Sequence, residues 1–544
     1  MALKHVLRTA VRGMAALAVL GWSATGFAGS TTITLLHVND SHSHLDAFGP
    51  KDAKLNGTLG GIAKVATIVE NERSREDNVL LLHAGDAFEG DICYNALLGI
   101  PVVADLTFMG ALQFDAMAVG NHEFDGGPDF LDQVLSNSFI LGDVPLLSAN
   151  LDFSGCGIDA ECSDLGTTIV PHLIKEYGDV KVGIFGLTVP DNAATDPSPV
   201  VIESDFVGIA QAQADALRAD GADVVVLLSH LGFAKDEEVA GSVTGIDFII
   251  GGHDHFLFKK PVAVTNPDEK TTLVFQAGWH YLDIGKLTFT VTDGVVHVDK
   301  YQMLPVDATV APDPTFQEIV DSLKAEIVDG YSEDFYGTPL GRATADIDFT
   351  RSPSSPARDS GMGNLVTDAY RAATGTPIGI TANGWISERI WAGPIVGADV
   401  FHAVSYGFDP STGLGFNLVT ADMTGLDLLT VLEYTLYASD SDPDFFLQMS
   451  GLTFQYDSRN APGERVILSS VRIDGQPIGP TTAYSVTVNE GSYALVGLLG
   501  ITPTNVSGPI EPEYVAVRDY IQSLGKVRYA SEGRIQDVAL HHKK

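Results

Sequence analysis

Five short polar clusters hold the side chains best suited to chemistry: Asp40-Ser41-His42, Gly85-Asp86, Gly120-Asn121-His122-Glu123, Ser229-His230 and Gly251-Gly252-His253-Asp254-His255. Among them, Asp40, His42, Asp86, Asn121, His230, His253 and His255 offer carboxylate, carboxamide and imidazole donors and no thiolate. Such donors suit Mn, Zn, Co, Fe or Mg as divalent ions, and they differ from the thiolate-rich set of a structural zinc site. Seven ligands exceed what one four-coordinate ion with an open position takes up. They fit two ions that share a bridging carboxylate. Two divalent ions about 3.5–4 Å apart generate a hydroxide at neutral pH and clamp phosphoryl oxygens through an in-line displacement. Any one of these histidines alone would more often be a hydrogen-bonded structural side chain; the ordered set is what points to a metal centre. By the same weighing, His37 and His83 read as structural, and Asp254 as a residue that shapes a turn.

The clusters need elements that bring them together. Each follows a short apolar run: Thr32–Val38, Val79–His83, Phe114–Val119, Val224–Leu228 and Asp247–Ile250. Amphipathic stretches over Ile62–Arg75, Gly127–Asn137 and Phe206–Arg218 separate most of these runs. The alternation predicts an α/β fold, with strands buried in a sheet and helices covering it. In such folds ligand-binding groups gather on loops beyond the carboxyl ends of the strands. Further along, strand patterning covers Lys286–Val298 and Tyr301–Pro305. Pro312-Asp313-Pro314 then opens a helix over Thr315–Asp329, with Ile319, Leu323 and Ile327 on one face.

These motifs resemble those of the bacterial 5′-nucleotidase/UDP-sugar hydrolase family, a branch of the calcineurin-like metallophosphoesterases. Asp40-Ser41-His42 matches its Asp-x-His motif, Gly85-Asp86 through Gly90 its second, and Gly120-Asn121-His122-Glu123-Phe124-Asp125 its third. Ser229-His230 and Gly252-His253-Asp254-His255 match its late histidines. The resemblance implies one metal on Asp40, His42, Asp86 and His255, and a second on Asp86, Asn121, His230 and His253, with Asp86 bridging. It casts His122 as a catalytic group oriented by Asp125, stabilising charge on the phosphoryl group or the leaving oxygen. The fold it implies is an N-terminal metallophosphoesterase β-sandwich flanked by helices, joined by a helix to a smaller α/β C-terminal substrate-binding domain. The expected boundaries are a signal peptide over 1–28, the metallophosphoesterase domain over 29–311, the interdomain helix and linker over 312–337, the C-terminal domain over 338–536 and a tail over 537–544.

In the second domain, Arg358 through Gly363-Asn364-Leu365 matches the family's phosphate-binding signature, and Arg358 becomes the phosphate-contacting arginine. A planar, always-charged fork suits phosphate oxygens. Asn383-Gly384 begins a loop that in the family continues with glycines; here Trp385 and Ile386 follow, and Arg389 falls one position late. Tyr406 and Tyr493 stand where the family stacks a base between two aromatics. Leu499 occupies the place of an acid that binds ribose hydroxyls, and loss of that acceptor removes a strong basis for sugar discrimination. The function implied is release of phosphate from a small-molecule ester, with nucleoside monophosphates the leading substrate, by attack of a metal-bridging hydroxide. An alternative keeps the same centre but takes another ester: a UDP-sugar, a cyclic nucleotide, a sugar phosphate or a thiosulfate ester. A third possibility is a non-catalytic exported binding protein, against which the complete ligand set argues.

Composition frames this reading. At 544 residues the chain exceeds one ordinary core and should divide. With 70 acidic against 32 basic residues the net charge is −38, which excludes a protein that coats nucleic acid and opposes binding to anionic membranes. Lys4, Arg8 and Arg12 precede an apolar stretch, Met14–Trp22, too short to span a bilayer. Gly26-Phe27-Ala28 fits cleavage after Ala28, so the expected protein is secreted to the periplasm without a membrane anchor. Cys156 and Cys162 are then placed to close a local disulfide in an oxidising space, and Cys93 reads as a buried thiol.

Overall fold

Strand alternation decides the architecture. The structure, a computed structural model, describes residues 30–95, 104–138, 144–157, 162, 164–190, 196–349, 355–407, 409, 411–441 and 443–542. The expected signal peptide lies outside them. Two units are present: one holds described residues 30–48, 58–89 and 104–326, the other 49–57, 90–95 and 327–542.

The first unit carries two large sheets, besides a two-stranded pairing of Leu151–Asp152 with Val201–Ile202. Its elements in chain order are β1 (Thr31–Val38), α1 (Ile62–Arg73), β2 (Val79–His83), α2 (Ala104–Ala111), β3 (Ala116–Ala118), α3 (Pro128–Ser138), β4 (Leu146–Leu147), β5 (Ile169–Val170), β6 (His172–Tyr177), β7 (Val180–Thr188), α4 (Phe206–Ala219), β8 (Val224–His230), α5 (Phe233–Ser242), β9 (Phe248–Gly251), β10 (Val262–Thr265), β11 (Thr271–Phe275), β12 (Asp283–Thr292) and β13 (Val295–Pro305). One sheet runs β13-β12-β1-β2-β3-β4-β5 and the other β10-β11-β9-β8-β7-β6. From β1 to β5 the first sheet is parallel, as is the β7-β8-β9-β11 core of the second.

Period two sorts the side chains. Val224, Val226 and Leu228 of β8 meet Ile33, Leu35, Leu80, Leu82 and Phe289 of the opposite sheet in one buried core. Val225 and Leu227 point the other way, onto Ala210, Ala214 and Leu217 of α4 and Val239 of α5. Burial on both faces is why these strands read as unbroken apolar runs. Since β1, β2 and β3 run parallel to one another, as do β8 and β9, their carboxyl ends lie along one edge of each sheet, and the five polar clusters follow those ends.

One sequence-derived boundary moves. Strand patterning breaks near residue 300, yet β13 is continuous from Val295 to Pro305, and the turn of the hairpin falls at Asp293-Gly294. Thr288 pairs with Lys300 and Phe289 with Val298, so Asp299 is an extra residue on β13. This β-bulge shifts the alternation by one, which is what a break in patterning looks like.

In sequence, α6 (Pro314–Gly330) runs from the first unit into the second. The second unit contains α7 (Gly361–Thr374), β14 (Ile378–Ala382), β15 (Leu418–Thr424), α8 (Gly425–Ala438), β16 (Leu447–Ser450), β17 (Leu452–Tyr456), β18 (Ala483–Asn489), α9 (Glu490–Leu498) and β19 (Thr504–Ser507). Its main sheet has the order β16-β14-β18-β15-β19. Ile378, Ile380, Val486 and Val488 join Leu428, Leu432 and Leu436 of α8 in its apolar core. Cys156 and Cys162 are disulfide-bonded, and Cys93 is a buried thiol. Among the described residues no helix is long and apolar enough to cross a membrane.

Candidate active site

Loops after β1, β2, β3 and β9, together with the last residue of β8, converge on one cluster. Asp40, His42 and His255 place one ligand atom each within 4.8 Å of one another, and Asp86, His230 and His253 do the same. Asn121 joins the second group, with Oδ1 3.1 Å from Nδ1 of His253. Asp40, Asp86, His42, His230 and Asn121 are almost wholly buried, whereas His122, Asp125, His253 and His255 are half-buried and form the open side. All seven expected ligands are thus brought together, with His122 and Asp125 beside them.

The local backbone is unusual. Asp40 (φ 49°), His42 (47°), Asp86 (55°), His253 (79°) and His255 (59°) all sit in the left-handed region. For non-glycine residues this costs on the order of 1–3 kcal/mol each and persists where the surroundings over-determine it. The reward is direction, since each side chain turns inward off its strand end. Two glycines make room. A Cβ on Gly120 would lie 2.2 Å from Oδ1 of Asp86, and one on Gly85 2.6 Å from Nδ1 of His230.

Hydrogen bonds set which nitrogen of each ring faces the centre. Nδ1 of His230 donates to the Ala84 carbonyl at 2.7 Å. Its Nε2 lies 2.8 Å from Oδ2 of Asp86, but outside hydrogen-bond geometry. Nδ1 of His42 is 3.3 Å from the Phe88 carbonyl, which leaves Nε2 facing Nε2 of His255 at 3.2 Å. Nε2 of His255 is 3.6 Å from Oδ1 of Asp40. Imidazole nitrogens and carboxylate oxygens that face one another this closely are a donor set for cations.

Electrostatics agrees. Burial lowers His42 to about 4 and His253 to about 3, and it holds His255 well below the ordinary range, so three imidazoles stay neutral as a metal ligand requires. Burial also pushes Asp40 up to about 8. Burial would raise Asp86 too, but His230 and His122 hold it well below the usual carboxylate range. Against burial, Asp86 and Asp40 lift His230 to about 10. A proton there does what a cation would do better, and cation binding would release it. The residues present therefore fit divalent metal.

His122 is set apart. Its Nδ1 lies 2.6 Å from Oδ2 of Asp125 and 3.6 Å from Oε2 of Glu89, and its backbone N–H donates to Oδ1 of Asp86 at 3.0 Å. Burial would lower it, but the carboxylates of Asp86 and Glu89 raise it to about 9. The imidazole therefore keeps its proton at neutral pH.

Several positioning groups were not singled out from sequence. Asn39 donates from Nδ2 to Oδ2 of Asp40 at 2.5 Å and to the Gly278 carbonyl at 2.5 Å, and accepts from the Ala277 amide at 2.8 Å. Gln276 donates to the Gly252 carbonyl at 2.7 Å, beside His253. Glu123 accepts backbone amides of Asp86 and its neighbours. Each lies next to a cluster in sequence or space, but nothing in its residue type separates it from an ordinary turn residue. Asp254, expected to shape its turn, accepts instead from the distant Phe233 amide at the start of α5. His83 is structural as well, with Nε2 on Ser41 Oγ at 2.9 Å and Nδ1 accepting from the Gly85 amide.

In the second unit, Gln448 ties two expected substrate residues together. Its Nε2 donates to Oδ1 of Asn383 at 2.9 Å and to the Arg358 carbonyl at 3.4 Å, while Oε1 accepts from the Ser360 amide. Tyr406 meets Trp385 edge-on, with ring centres 5.7 Å apart, and Trp385 meets Phe416 at 5.2 Å. Arg389 pairs with Asp348 at 2.7 Å and lies over the Trp391 ring. Tyr493 and Leu499 pack against the apolar core of this unit.

Residues 33–257 match the calcineurin-like phosphoesterase family, and residues 339–497 match the 5′-nucleotidase C-terminal domain. Among relatives, the chain is 29% identical to the trifunctional nucleotide phosphoesterase protein YfkN of Bacillus subtilis, over 93% of this chain but only 35% of that protein. It is 28% identical to the snake venom 5′-nucleotidase of Naja atra, over 93% of this chain and 99% of that one. The crystal structure of a 5′-nucleotidase precursor from Thermus thermophilus superposes with a TM-score of 0.78 at 29% identity, covering 93% of this chain and 99% of that one. Fold, ligand set and both matches define a metal-dependent phosphoric ester hydrolase. The chain belongs to the calcineurin-like metallophosphoesterases that carry a 5′-nucleotidase C-terminal domain.

Proposed function

We propose that this protein is an exported 5′-nucleotidase that uses two divalent ions to release phosphate from nucleoside monophosphates. The observation that carries the reading is the convergence of seven nitrogen and oxygen donors from five strand ends, with the histidine rings neutral or paired and facing carboxylates. Asp40, His42, Asp86 and His255 would hold one ion, and Asp86, Asn121, His230 and His253 the other. When bound, such a pair supplies a nucleophile at neutral pH and neutralises charge on phosphoryl oxygens. The remaining work falls to side chains. His122, oriented by Asp125 and kept charged by Asp86 and Glu89, would place positive charge and a proton beside the leaving oxygen. Arg358 would take phosphate oxygens through its fork, Asn383 and Arg389 would add polar contacts, and Tyr406 and Tyr493 would stack on a base. Export would follow from a leader over 1–28, with the catalytic domain at 29–311, the linker at 312–337 and the substrate-binding domain at 338–536.

One observation favours a second reading. Leu499 packs on the apolar core, where a sugar-binding acceptor would be needed for ribose discrimination. The same centre would then serve an ester recognised without its ribose: a sugar phosphate, a UDP-sugar, a cyclic nucleotide or a thiosulfate ester.

Hydrolysis of AMP and of a ribose-free phosphomonoester, followed as inorganic phosphate, and of UDP-glucose and a cyclic nucleotide, followed as the phosphomonoesters they yield, with Mn²⁺ and after chelation, separates the two. AMP well ahead supports the first reading, with kcat falling about 10²–10⁴-fold in His122→Ala while metal content is retained. Equal rates across the panel support the second. No metal-dependent hydrolysis of any of them, nor of a thiosulfate ester, contradicts both.

A further inference from the structure

The fully buried Glu123 carboxylate accepts four backbone N–H groups: those of Ala87 (2.8 Å) and Phe88 (3.2 Å) at Oε1, and those of Asp86 (3.1 Å) and Gly120 (2.6 Å) at Oε2. A carboxylate offers about four acceptor sites, so its capacity is used within two loops. Those loops carry Asp86 and Asn121. The carbonyls of the first loop are engaged on the opposite side. Gly85, Asp86 and Ala87 accept the amides of Asp40 (3.0 Å), His42 (3.1 Å) and Ser43 (2.9 Å), and Ala84 accepts Nδ1 of His230 (2.7 Å). Residues 84–88 are thus a short slab of backbone held between Glu123 and the groups that present Asp40, His42 and His230. Asp86 itself sits at φ 55°, a conformation that survives where its surroundings impose it.

We infer that Glu123 is a positioning residue for the metal centre. Without touching ion or substrate, it sets metal affinity by fixing the 84–88 backbone, from which ligands on three loops and at the end of β8 take their positions. The inference rests on the reading of Asp86 and Asn121 as metal ligands. Removing a group that holds metal ligands in place typically weakens metal binding about 10–100-fold.

The test uses the full chain, stripped of metal and titrated calorimetrically with Mn²⁺, as wild type, Glu123→Gln and Glu123→Asp. Glutamine turns one oxygen into an NH₂ group, which must face either the Ala87 and Phe88 amides or those of Asp86 and Gly120. Aspartate keeps both oxygens on a shorter arm. The expected result is a Kd for Mn²⁺ raised about 10–100-fold in Glu123→Gln and less in Glu123→Asp. At saturating Mn²⁺, kcat should return to near the wild-type value. A lowered unfolding temperature with an unchanged Kd would assign Glu123 a merely structural role and overturn the inference. Should Glu123→Gln not fold, Glu123→Asp carries the same comparison. Hydrogen exchange on the metal-free wild type tests the clamp without any variant. Slow exchange at Ala87, Phe88 and Gly120 is expected, and exchange as fast as an exposed loop overturns it. Wild type that takes up no Mn²⁺ overturns the metal-site reading and this inference with it. Wild type that binds, beside folded variants that bind as tightly, overturns this inference alone.

Discussion

His37 within β1 and His42 in the loop that follows it have opposite meanings, and only their surroundings tell them apart. His42 faces other ligands, whereas His37 is fully buried within β1, stacked on Tyr301 and against Gly285. Residue type and spacing were enough to list the seven donors, because metals require particular atoms. They could not reveal the left-handed backbone at five of those residues, nor the amide-binding roles of Asn39 and Glu123. Those depend on neighbours distant in sequence. His37 also makes a prediction. Burial lowers it to about 3, against 6.5 in an unfolded chain, so on acidification the unfolded state takes the proton first. Folding is then disfavoured progressively from about pH 6.5 down to about 3, by up to about 1.4 kcal/mol per pH unit. In chelator, urea unfolding of His37→Phe should lose stability less steeply over that window than wild type. Parallel curves would show that His37 is not buried neutral.

At the scale of elements, the strands that precede the clusters were legible because burial on both faces leaves an unbroken apolar run, as in Val224–Leu228. The bulge at Asp299 was not, because an extra residue and a chain break shift alternation in the same way. Nor does sequence show how closely the two sheets approach. Gly186 of β7 lies so near Leu147 of β4 that an added Cβ would sit 2.1 Å from the Leu147 carbonyl oxygen. Gly186→Ala should therefore cost about 1–3 kcal/mol, read as a lowered denaturant midpoint at unchanged slope. An unchanged midpoint would mean the sheets can part there at no cost.

Across the whole molecule, length called for two domains or more, two units are present, and the motifs implied a catalytic and a substrate-binding half. The assignment of residues 49–57 and 90–95 to the second unit had no signal, since no change of composition marks them. The net charge of −38 acts at this scale too. Its field repels an anionic ester at long range, and salt screens it, with a Debye length of about 10 Å at 0.1 M. With metal saturating, kcat/KM for a phosphomonoester should rise as NaCl is raised from about 0.02 to about 0.2 M. A fall would indicate that local positive charge, from Arg358 among others, dominates the approach.

The most direct measurement is metal content per chain by elemental analysis, after loading with Mn²⁺ and removal of excess, set beside phosphate release by the same samples. Two ions per wild-type chain are expected, with fewer ions and little release in Asp86→Ala, whose carboxylate the two-ion reading assigns to both ions. One ion or none per chain in a sample that releases phosphate at full rate would contradict a two-metal hydrolase.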